Sequence, residues 1–207
     1  KLSKPDKNKK TLFIWPEGIF YESYLHDIKQ YQDLFELKFS RNHLIILGIN
    51  SFITSGDKNN KQYFNSMVVL NNKLDILSIY NKINLVPFGE FLPFEKTLSK
   101  LGLKKITRGY NSFSAGNDRN IINLGKDFGN KLILPLICYE IIYTGKIKKN
   151  NQIPDLLINI SEDAWFGRSI GPSQHFTKAI YRSVEEGVFV ARSANKGISA
   201  SINPNGN

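Results

Sequence analysis

A single cysteine stands among the 207 residues, so no disulfide can form within the chain. No stretch of 18 or more apolar residues occurs, so nothing in this sequence is long and apolar enough to span a membrane as a helix. Histidines are few: His26, His43 and His175 show no metal-ligand spacing, and with no second thiol a zinc site is not expected, nor any cofactor. Repeats and low-complexity segments are missing. So are the recognition signatures of the common nucleic-acid modules. The net charge of +10 comes mostly from lysines scattered along the chain, with small groups near residues 1–10 and 146–149, which argues against a nucleic-acid partner.

What is present fits one globular domain with a sizeable core, at 41% hydrophobic and 22% charged residues. Residues 1–10, KLSKPDKNKK, form a polar, lysine-rich lead-in without a secretory pattern, and 11–207 form the domain. Apolar runs predict strands at 11–15, 43–50, 63–71, 74–82, 131–138, 155–161, 188–195 and 197–203. The runs at 43–50 and 63–71 flank a polar turn at 54–62 and suggest a hairpin. Pro135 argues against a regular central ladder position in the 131–138 strand. Helical spacing appears from Tyr21 to Phe39, through Tyr21, Leu25, Ile28, Leu34 and Phe35. It appears again over 172–187, with Phe176, Ala179, Ile180 and Val184 on one face and Gly187 as the stop. Segments 83–96, 97–120 and 145–152 read as loops or turns. The expected architecture is layered α/β: two packed sheets with helices outside.

Three short stretches place a reactive side chain at the end of an apolar strand: Glu17 in WPEG, Lys82 and Glu90 in YNKINLVPFGE, and Cys138 and Glu140 in ICYE. A base, a cation and a thiol are the parts that acyl transfer through a thioester needs. A free thiol has a pKa of about 8.5 and is mostly protonated at neutral pH. A carboxylate can take its proton, and an ammonium favours the thiolate and the oxyanion that follows. These residues alone leave two readings open. Cys138 is either a buried core thiol or a nucleophile, and an isolated Lys or Glu is ordinarily a solvated surface group.

The flanking motifs FIWPEG (13–18), YNKINLVPFGEFLPFE (80–95), LICYEIIY (136–143) and INISEDAWFG through GPSQH to NPNG (158–206) span most of the chain in order. In them the sequence resembles the nitrilase, or carbon–nitrogen hydrolase, superfamily, and within it the apolipoprotein N-acyltransferase branch. The resemblance implies a nitrilase-like α-β-β-α sandwich. It implies Glu17 as general base, Lys82 as oxyanion stabiliser and Cys138 as acyl-accepting nucleophile. Glu90 would hold a proton or orient Lys82, Glu140 would support the site, and the Tyr139 N–H would be an oxyanion donor. Trp165, Phe166 and Phe88 become substrate-pocket candidates, and Phe88, Phe91 and Phe94 a loop that meets lipid. His175 reads as a structural hydrogen-bonder.

The resemblance further implies a phospholipid acyl donor, an apolipoprotein acceptor and an inner-membrane location with the catalytic part on the periplasmic side. Its membrane segments, and the first strand and helix of the sandwich, have no counterpart here, so an incomplete sandwich truncated at both ends is expected. Glu162 stands where the branch usually has Asn. Two alternatives remain: a soluble nitrilase-type amidase acting on a small C–N bond, and an inactive remnant. The upstream hydrophobic helices expected of the acyltransferase, and a Cys138-dependent acyl label, are the features that tell them apart.

Overall fold

The computed structural model describes residues 4–20, 22–54, 61–94, 112–145 and 152–207. Two sheets form the framework. The first has the order β1 (Thr11–Ile14), β2 (His43–Thr54), β3 (Lys61–Leu70), β4 (Ile76–Asn81). The second has the order β5 (Ile122–Asn123), β6 (Leu132–Ile137), β7 (Leu156–Glu162), β8 (Phe189–Asn195), β9 (Ala200–Ile202). β2 and β3 form the expected hairpin, paired antiparallel from Ile45↔Leu70 to Thr54↔Lys61. β1 runs parallel to β2, and β4 is antiparallel to β3, so β1, β2 and β4 point the same way. β6, β7 and β8 are mutually parallel.

The apolar residues sort into three layers, which makes the molecule an α-β-β-α sandwich. Leu44, Ile46, Met67, Val69 and Tyr80 from the first sheet meet Ile133, Ile137, Ile158 and Ile160 from the second. Full burial of such a side chain contributes about 1.5–3 kcal/mol, so this seam is a major source of stability. The opposite face of the first sheet packs on Leu25, Ile28, Phe35 and Phe39. The opposite face of the second packs on Ala179, with Phe176 and Ile180, from the long helix α2 (Gly171–Glu186), numbered after α1 (Gln32–Lys38). Pro172 in the first turn and Gly187 at φ 63° bound α2 as its sequence suggests.

Several details differ from the sequence reading. The single helix expected over 21–39 is a 3-10 segment, Leu25–Tyr31, followed by the short α1, and Leu34 is exposed; Tyr21 lies outside the described residues. Val184 is exposed on α2, whereas Arg182 and Ser183 are buried because they hydrogen-bond to main-chain carbonyls of neighbouring segments. β9 is shorter than 197–203, and β5 carried no recognisable signal. Pro135 fits a parallel ladder because the Lys131 carbonyl, of the same parity, faces β5, and β5 pairs only with Leu132 and Ile133. No ladder donor is needed from Pro135 on that side. The lead-in is tied down: the main-chain oxygen of Lys7 accepts from Asn42, and that of Asp6 lies 2.9 Å from the buried His43 ring. Most of 97–120 and of the turns at 54–62 and 145–152 falls outside the described residues.

The sheets approach closely where β2 carries Gly48. A Cβ there would lie 2.9 Å from both Glu17 Cα and Ile160 Cδ1. The Gly48→Ala variant is therefore expected to lose about 1–3 kcal/mol of stability through overpacking. Chemical denaturation measures this, and an unchanged midpoint would show that the seam has slack.

Candidate active site

The parallel directions of the strands place four polar side chains of the candidate site at one rim. Glu17 follows the carboxyl end of β1, Lys82 that of β4, Cys138 that of β6 and Asp163 that of β7. Packing the sheets face to face brings these ends together.

Lys82 is 1% exposed, deep in the seam. Its backbone N–H donates to the Asn65 carbonyl at 2.8 Å, and its own carbonyl accepts from Gly116 N–H at 2.8 Å. Its ammonium donates to Glu90 at 2.9 Å. The Asn65 amide bridges the two glutamates, donating to Glu17 Oε1 at 2.6 Å and to Glu90 Oε1 at 2.8 Å. Glu90 is fixed further by the Val86 N–H at 2.8 Å, and Glu17 by the Glu162 N–H at 3.2 Å. Burial would strip Lys82 of its proton, but the negative charge around it, that of Glu90 first, outweighs burial and holds the ammonium above its ordinary range. Glu17 is raised, first by burial and then by Glu90, against the pull of Lys82.

Cys138 occupies the elbow between β6 and a 3-10 turn, Cys138–Ile142, at φ 49°. A non-glycine residue in this left-handed region carries strain that surroundings must over-determine. Burial and the Glu17 charge push its thiol up to about 11, while Lys82 and a Ser161 hydrogen bond pull the other way. Near neutral pH the thiol is therefore protonated, and the Glu17 carboxyl holds a proton more tightly than an ordinary carboxylate does. Glu17 and Lys82 both act on the thiol's proton affinity, and Lys82 acts on that of Glu17.

Glu140 is a hub. Its Oε1 accepts from Tyr80 at 2.7 Å, Ile83 N–H at 3.0 Å, Asn84 N–H at 3.1 Å and Arg119 at 2.6 Å, and its Oε2 from Ile137 N–H at 2.9 Å. It therefore ties the segment after Lys82 to the residue before Cys138. Glu162 caps the turn after β7, accepting from Ala164 N–H at 3.0 Å and from Asn195 at 2.5 Å. Phe88, Trp165 and Phe166 lie at the surface, 46%, 66% and 39% exposed. None is among the described residues that line an apolar cavity of about 420 Å³ beside the segment after Lys82, formed by Ile83, Asn84, Leu85, Phe91, Phe113, Ala115 and Tyr143. Asn65, Arg119 and this cavity carried no signal in the sequence, because an isolated Asn or Arg looks the same buried or solvated.

The Carbon-nitrogen hydrolase family profile matches residues 7–207. The chain is 36% identical over 196 residues to the Apolipoprotein N-acyltransferase of Bradyrhizobium diazoefficiens, covering 95% of this chain and 36% of that protein. It is 41% identical over 146 residues to that of Rhizobium meliloti, covering 70% and 27%. It thus spans about a third of the length of the curated relatives it matches. Among solved structures, an amidase from Nesterenkonia sp. AN1, carrying a covalent acetamide adduct at its active-site cysteine, matches with a TM-score of 0.57 at 14% identity, over 94% of this chain and 70% of that one.

Two outcomes follow from the geometry. Replacing Arg119 by Met leaves the buried Glu140 charge without its cation and is expected to cost about 3–5 kcal/mol, measured by denaturant titration. A Glu17 that served as base for the Cys138 thiol would have to be ionised, and its raised pKa means it protonates early as pH falls. The acid limb of Cys138 acylation by a small activated ester is therefore expected above the ordinary carboxylate range. Glu17→Gln should erase that limb and lower the plateau about 10²–10⁴-fold.

Proposed function

The chain belongs to the carbon-nitrogen hydrolase family, and from that premise we propose that it is the catalytic part of an apolipoprotein N-acyltransferase. The observation that supports this most is a thiol at a strained strand end, with a base and a cation beside it, in a chain similar along 95% of its length to a protein so named.

In the proposed reaction Glu17 takes the Cys138 proton as Sγ attacks the ester carbonyl carbon of a phospholipid. Lys82 Nζ and the Tyr139 N–H donate to the oxyanion. Collapse breaks the ester C–O bond, Glu17 returns the proton to the departing alkoxide, and a lysophospholipid leaves an acyl thioester on Cys138. The α-amine of a diacylglyceryl-cysteine apolipoprotein then attacks the thioester. Glu17 passes the amine proton to the departing sulfur, and the acyl chain ends on nitrogen.

The apolar cavity lined by Leu85, Phe91, Phe113 and Tyr143 suits the acyl chain. The exposed Trp165, Phe166 and Phe88 suit the lipid surface from which it comes. Among the described residues no helix is long and apolar enough to cross a membrane. The proposed setting is the periplasmic face of the inner membrane, reached through segments beyond this sequence.

The test uses vesicles of phospholipid with a labelled acyl chain, followed by a diacylglyceryl-cysteine peptide. A labelled thioester on Cys138, absent from Cys138→Ala and discharged as N-acyl peptide, is the expected outcome. Discharge to water alone, together with turnover of small amides, would favour an amidase instead. A wild-type chain that takes no label sinks the acyltransferase reading.

A further inference from the structure

Behind the elbow lies a second buried polar cluster that the reaction above does not use. Asp163, His175 and Arg192 are all buried. Arg192 donates to Asp163 Oδ2 at 2.8 Å and to the Asn159 side-chain oxygen, and Ser161 Oγ donates to Asp163 Oδ1 at 2.7 Å. His175 Nδ1 lies 2.9 Å from Asp163 Oδ1 and 3.2 Å from Arg192 Nη2. His175 Nε2 lies 3.2 Å from the main-chain carbonyl oxygen of Cys138. A carbonyl oxygen only accepts, so Nε2 carries a hydrogen; a carboxylate oxygen only accepts too, so the bond to Asp163 puts a second hydrogen on Nδ1, the ring is the imidazolium, and Arg192 Nη2 meets Nδ1 as a fellow donor to Asp163. Asn159 Nδ2 adds a second donor to the same oxygen at 3.4 Å. Burial alone would raise the Asp163 carboxyl, but the hydrogen bonds from His175 and Ser161 and the charge of Arg192 hold it below its usual range, so it remains an ionised anchor.

The consequence lies in one peptide plane. In a trans peptide the C=O of Cys138 and the N–H of Tyr139 point in opposite directions. Donors that pin the oxygen on one side aim the N–H at the other, and they polarise it into a stronger donor. The left-handed backbone of Cys138 gives this plane an orientation the chain would not hold unaided.

We propose that His175, anchored by Asp163 and Arg192, is a positioning residue: its Nε2–H fixes the Cys138 carbonyl so that the Tyr139 N–H faces the oxyanion. This rests on the reading of Cys138 as the acyl-accepting nucleophile.

Two substitutions separate the bonds of the imidazole. His175→Asn places an amide where Nδ1 was, keeping Asp163 and losing the Cys138 carbonyl. His175→Gln reaches the position of Nε2, keeping the carbonyl and losing Asp163. With a p-nitrophenyl acyl ester, acylation of Cys138 is expected to fall about 10- to 100-fold in the Asn variant and to stay near wild type in the Gln variant. Iodoacetamide alkylates the same sulfur without building an oxyanion, and its rate should hold at the wild-type level in both. Should the Asn variant not fold, His175→Met, with similar reach and no donor, takes its place.

The reverse order, with Gln impaired and Asn intact, overturns the proposal in favour of a purely structural Asp163 pair. So does a parallel loss of acylation and alkylation, or acylation at the wild-type rate throughout. A wild-type chain that forms no acyl–Cys138 overturns the nucleophile reading as well.

Discussion

The structure depends on keeping one ammonium charged in a place with almost no water. Lys82 sits in the seam between two sheets, where an unpaired charge would cost several kcal/mol or lose its proton. Glu90 and Glu17 prevent this, and a single Asn65 amide holds both carboxylates in register. With two carboxylates around one cation, the local balance leans negative. Burial, with that balance added to it, keeps the thiol of Cys138 protonated at rest and raises the proton affinity of Glu17 above that of an ordinary carboxylate. The groups that make a buried cation tolerable thus also act on the proton affinity of the thiol.

The same economy appears in the backbone. Cys138 ends a buried parallel strand in a left-handed conformation, and that strain is held from both sides. Glu140 fixes the peptide before it through the Ile137 N–H and reaches across to the residues after Lys82. His175 and Asn159 grip the carbonyl after it. Each buried carboxylate here has several donors, and no buried side-chain polar atom among the described residues lacks a partner. Such a network costs little only when complete, which is why the chemistry sits where two sheets and α2 converge rather than on a free loop.

The sequence by itself determined the layer order and marked Glu17, Lys82 and Cys138 as candidates for the site. Apolar runs of strand length, a hairpin signal and a Pro–Gly-bounded helix are local patterns, and local patterns survive in one dimension. The motifs around Glu17, Lys82 and Cys138 are likewise contiguous, so they could be read as they stand. The 3-10 start of the first helical region, the two-residue β5 and the exposure of Val184 could not, because each is settled by what packs against it. Only the tertiary structure decided which polar residues are buried. Asn65, Arg119 and Arg192 lie far apart along the chain and resemble any solvated residue of their type. They become buried parts of the polar network because the two sheets and the segments beside them close over these side chains and remove the water.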